Sequence, residues 1–100
     1  MQAIRRRLEG DRAELTDAED WPRVTDTSGR AWKETIGRMK QAYEELSSAI
    51  SRLDDSKLDQ AIIEGMSSVY VNLHGVIQHT LYHAGQIAIL KKAILERQTP

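Results

Sequence analysis

A chain of 100 residues has room for one domain, and the absence of cysteine excludes disulfides, Cys-ligated zinc and a thiolate nucleophile of its own. With 14 basic and 15 acidic residues the net charge is −1, which gives no electrostatic footprint for nucleic acid. No apolar run reaches the ~18 residues of a membrane span, and the N-terminal arginines are followed by no apolar stretch of the kind a secretory signal carries.

The first predicted helix runs from Gln2 to about Glu9. Met1, Ile4 and Leu8 share one face, and Gly10 stands where a C-cap glycine would end the helix. So short a helix is marginal alone and reads as the tail of a longer one. Arg5-Arg6-Arg7, the only basic cluster, reads as a solvated helix face rather than a phosphate contact. Asp11 to Ser28 is a polar loop, long for a connection, holding Trp21-Pro22. Trp21 is expected to anchor the loop by packing on the helices.

The second long element is expected from Gly29 to about Leu53. Trp32, Ile36, Met39, Tyr43, Leu46, Ile50 and Leu53 alternate spacings of four and three, the seam of a bundle or coiled coil. Asp26-Thr27-Ser28 offers N-caps, and Asp54-Asp55-Ser56 ends the segment. Lys57 to Met66 is ambiguous, one helical turn or two, with Gly65 breaking the pattern. A last helix is expected from Ser67 to Glu96, about 45 Å long, capped by Ser67 or Ser68. Leu73, Ile77, Thr80, Ala84 and Ile87 form one stripe, and Val76, His79, His83, Leu90 and Ile94 an adjacent one. That wide apolar arc suits the centre of a bundle. Lys91, Lys92 and Arg97 suit the helix dipole, and Thr99-Pro100 reads as a frayed end. Phenylalanine is absent, so Leu, Ile, Val, Ala and Met must build the core of an all-α fold, one domain over residues 1–100.

His79 and His83 are four apart on this helix, hence on one face and one turn apart, close enough to share a metal ion. Two imidazoles at this spacing are a common half-site for zinc, nickel or iron. The same spacing also suits surface histidines, or core histidines bonded to carbonyls. Position 80 is Thr rather than the Glu that follows the first histidine of a zincin, so protease chemistry is not expected. His74 lies about 140° around the helix from His79 and reads as a packing or surface residue. A third ligand would be a carboxylate, Glu64 or an acid of the 11–20 loop, or would come from another chain. No serine stands out as a nucleophile, and there is no glycine-rich phosphate loop.

The stretch from Leu73 to Ile87, LHGVIQHTLYHAGQI, resembles the last helix of the DinB-like and YfiT-like superfamily, with H-x-x-x-H-x-G-Q-I as its specific core. Asp20-Trp21-Pro22 and Trp32 look like that family's middle region, and Arg6-Arg7-Leu8-Glu9-Gly10 like the end of its second helix, so the resemblance spans residues 4–95. It implies a four-helix bundle holding a divalent metal, often zinc or nickel, through three histidines. His79 and His83 match two of these. The position of the other falls before Met1, which implies an N-terminally truncated domain lacking the first helix and most of the second. Some relatives are bacillithiol-using thiol transferases or mycothiol-dependent maleylpyruvate isomerases. Gly85 reads as a close-packing glycine, and Gln86 as a packing or cap-to-loop residue, with hydrogen bonding to a metal ligand as the alternative.

Two long helices and a stub do not enclose a bundle core, and the uncovered stripe would be a large apolar patch. A homodimer is therefore expected, each chain supplying two long helices to one four-helix bundle. A two-fold axis could then bring both histidine pairs into one shared site. The functional expectation is a DinB-like metal-dependent transferase or hydrolase acting on a thiol or small molecule. The alternatives are a catalytically inactive helical dimer with structural or no metal, and a fragment of a longer enzyme. The absence of a secretory signal and of cysteine points to the cytoplasm, with no nucleic-acid or membrane partner.

Overall fold

The computed structural model describes residues 1–98, and the expected fraying at Thr99-Pro100 lies outside them. Among the described residues the chain forms α-helices and no strand: α1 (Gln2–Leu8), α2 (Asp17–Asp20), α3 (Gly29–Ser51) and α4 (Val69–Arg97). A single 3₁₀ turn occupies Asp55–Lys57. Both long helices begin at a serine. Ser28 Oγ accepts the Ala31 N–H at 3.2 Å, and Ser68 Oγ accepts the Val71 N–H at 3.1 Å, each satisfying one of the orphan donors of a first turn. Asp26 Oδ1 accepts the Ser28 N–H at 2.9 Å, and backbone and side-chain hydrogen bonding from Ser28 holds the Asp26 carboxyl below the usual range.

α1 ends in a Schellman motif. Gly10 takes φ +93, its N–H reaches Arg7 O at 3.0 Å, and the Asp11 N–H reaches Arg6 O at 3.0 Å. The three arginines are not the solvated face expected from sequence. All three are half-buried. Arg5 pairs with Glu9 at 3.1 Å and with Glu45 of α3 at 3.3 Å. Arg6 pairs with Asp11 at 2.8 Å, and Arg7 Nε donates to Ala13 O at 3.0 Å. These bonds fold the chain after α1 back against the helices, something a linear pattern of charges does not reveal.

The ambiguous 57–66 segment is a turn rather than a helix. The Ile62 N–H donates to Ser67 O at 3.0 Å and the Val69 N–H to Gln60 O at 2.8 Å, closing an isolated antiparallel bridge between Ala61 and Ser68. Gly65, at φ +84, supplies the left-handed residue the reversal needs. Arg12 Nη1 donates to Glu64 O at 3.0 Å and joins this turn to the loop after α1.

α1 packs on both α3 and α4. The buried side chains are Ala13, Ala42, Leu46, Ala49, Ile62 and Val69, all at the end of the molecule where these segments meet. The inward face of α3 is thus Ala42-Leu46-Ala49, whose small alanines let α1 approach. The expected seam is largely uncovered. Trp32 is 64 % exposed and Tyr43 64 %, while Leu46 alone of the seam is buried. α4 is not enclosed within one chain either, for Val69 is its only buried residue among those described. Trp21, expected to anchor the loop, is 75 % exposed. It follows α2, a four-residue helix capped by Thr16, and leads into an exposed stretch that is neither helix nor strand.

Gly37 sits within exposed α3, and an added Cβ there would meet nothing within 4 Å. Gly37→Ala should therefore stabilise the protein by about 1 kcal/mol through helix propensity. Thermal denaturation followed by circular dichroism should show a midpoint higher by about 4–8 °C, and an unchanged midpoint would contradict the open environment.

Candidate metal half-site

α4 puts His79 and His83 on one face because it runs unbroken through both, so the i, i+4 geometry is fixed by the helix itself. Their Nε2 atoms face each other at 3.0 Å, with ring centroids 4.4 Å apart and planes at 85°. On its far side His83 Nδ1 donates to Gln86 Oε1 at 2.7 Å. Since that oxygen can only accept, the proton of neutral His83 resides on Nδ1 and its Nε2 presents a lone pair. With His83 neutral, the donor that meets this lone pair is His79 Nε2–H. Gln86 therefore bonds to the His83 ring rather than to a cap or loop. The signal was in the sequence, at three residues beyond His83 on the same helix face.

The pair opens on an apolar groove of about 670 Å³ whose walls include Met1, Ile4, Met39, Val76 and Ile87. His83 is half-buried against it and His79 is exposed. The Tyr82 ring meets His83 at a centroid distance of 5.6 Å. Two nitrogens bound to one tetrahedral zinc at ~2.05 Å stand about 3.3 Å apart. The observed 3.0 Å is within a few tenths of an ångström of that separation, so small ring rotations would admit an ion.

Among the described residues, only His79 and His83 converge in this way. His74 is exposed on another face, with its ring 5.8 Å from that of Tyr70. Glu64 lies exposed in the turn before α4. Among the described residues no group of three His, Cys, Asp or Glu side chains is positioned to hold a metal, so neither Glu64 nor an acid of the 11–20 loop completes the site. Thr80 stands between the two histidines in sequence and lines the groove, offering no general base. No helix among the described residues is long and apolar enough to cross a membrane.

No family model matches the chain, and no curated protein and no solved structure matches it.

Proposed function

We propose that this chain is a DinB-like metal-binding protein in which His79 and His83 hold a divalent ion, zinc or nickel. The observation that carries the reading is the convergence of the two Nε2 atoms at 3.0 Å, with the outer nitrogen of His83 tied to Gln86. A ligating histidine commonly has its other ring nitrogen fixed in this way. When bound, such an ion would act as a Lewis acid on a water or thiol, the chemistry of a transferase or hydrolase. The chain's own residues orient the two imidazoles, fix the tautomer of His83 and line one side of the pair with mostly apolar side chains.

The absence of a third ligand among the described residues favours a second reading, a helical protein whose metal is structural or lacking and which catalyses nothing. A catalytic site with three protein ligands and an open position needs at least one donor from outside this ligand set.

The test is metal content per chain, measured after incubation with zinc or nickel and exhaustive dialysis, for the wild type, His79→Ala and His83→Ala. Neither histidine is buried, so the variants should keep their helical spectrum. The wild type should retain metal, and each variant should lose more affinity than the roughly 10–100-fold that removal of a partner supporting a ligand costs. Equal, negligible content in all three would discard the metal reading and leave the helical scaffold.

A further inference from the structure

We propose that the open face formed by the seam of α3 and the adjoining stripe of α4 is the docking surface for a second copy of this chain, which completes a four-helix bundle. The first argument is area. A folded monomer of 11.3 kDa is expected to expose about 5,700 Å². This chain exposes 8455 Å², and obligate homodimers bury on the order of 2,000–5,000 Å² in total. The excess of about 2,700 Å² per chain, about 5,400 Å² over two chains, is therefore more than enough to supply an obligate interface. Shape agrees with area. The radius of gyration is 16.8 Å, against about 13 Å for a globular chain of this length.

The second argument is where the excess lies. Between α3 and α4 runs an almost wholly apolar groove of about 610 Å³, walled by Tyr43 and Ile50 on one side and by Leu73, Ile77 and Leu81 on the other. Ile77 is 59 % and Leu81 66 % exposed. Residues 69–90 of α4 contain no Asp, Glu, Lys or Arg at all. A helix without charge on any side over six turns is built to be enclosed, and within one chain it is not. α1, at seven residues, is too short to cover the 29 residues of α4. The occupant must be apolar and at least as long, which α3 and α4 of a second copy are. A lipid surface is disfavoured because no basic side chain except Lys40 lines the groove and the net charge is −1. Self-repulsion at that charge is small.

The test is the solution mass of the full chain in EDTA, which separates this inference from the metal reading: a metal-free dimer supports the interface whether or not His79 and His83 bind an ion. Sedimentation equilibrium at tens of micromolar should give twice 11.3 kDa. Ile77→Glu places a charge in the groove and should raise the dimer dissociation constant at least about 100-fold, with Leu81→Glu as a second variant should the first lose its helical spectrum. Gln78→Glu, at a position of α4 that lines neither groove, should remain dimeric. A wild-type mass of one chain would overturn the proposal. So would dimers that persist in both groove variants, or a monomer that floats with anionic phospholipid vesicles.

Discussion

Leu46→Ala is expected to lower the unfolding free energy by about 3 kcal/mol, a large fraction of the ~5–15 kcal/mol available to a domain of this size. Leu46 is 5 % exposed, and the buried set around it is otherwise alanines, Ile62 and Val69. The alanines Ala42 and Ala49 bring α1 close, but they contribute little apolar area. Leu46 is the one large side chain of α3 buried between them, and truncating it leaves a cavity that two flanking alanines cannot fill. The midpoint of thermal unfolding should fall by roughly 12–24 °C. Tyr43→Ala provides the contrast. Tyr43 is 64 % exposed and belongs to the open seam, so its loss should leave the fold of one chain nearly intact and act on association instead. Stability of a dimer depends on chain concentration, so the variants must be compared at one concentration. A loss under about 1 kcal/mol for Leu46→Ala would mean that the α1–α3 contact does not hold the core.

The helices were legible because their signals are local. Ser28 and Ser68, each one of the candidate caps, lie within three residues of the N–H groups they accept, and α3 and α4 begin directly after them. Gly10 was legible for the same reason, since a left-handed residue ends α1. The inward face of α3 was not. Counting large apolar residues selects Trp32, Met39, Tyr43 and Ile50, whereas close approach of α1 selects Ala42 and Ala49 around Leu46. Hydrophobic periodicity locates where a helix can pack, and it does not say which of two partners occupies each face. The arginines of α1 were misread similarly, because Glu45 is distant in sequence and meets Arg5 only once α1 lies on α3. At the site, the i, i+4 pair was readable from helical geometry alone. Whether Glu64 or an acid of the 11–20 loop meets that pair was not, since it depends on tertiary contacts that spacing does not encode, and among the described residues neither does. Gly85 belongs with the unexplained faces. Within one chain an added Cβ there meets nothing within 4 Å, so the close packing expected of it is not found.

Gln86→Leu is expected to weaken zinc or nickel binding by about 10–100-fold while leaving the number of ions per chain unchanged. Gln86 Oε1 is 2.7 Å from His83 Nδ1 and would not itself touch the ion. Its effect runs through the imidazole: with the acceptor in place, His83 is held in the Nδ1–H tautomer and its Nε2 lone pair points at His79. Leucine keeps the helix propensity of α4 and removes the acceptor, so the ring can rotate and place its proton on either nitrogen. Part of the binding energy is then spent on restoring the productive tautomer and orientation. Imidazole ¹⁵N shifts of the metal-free protein separate this from a loss of fold. In the wild type they should report an Nδ1–H His83, and in Gln86→Leu a mixture. Gln86→Glu offers the same acceptor geometry with a negative charge and should bind at least as tightly as the wild type, since a carboxylate raises the basicity of the ligand it supports. Wild-type affinity in Gln86→Leu, together with an unchanged tautomer, would remove Gln86 from the site and reduce the 2.7 Å contact to a surface hydrogen bond.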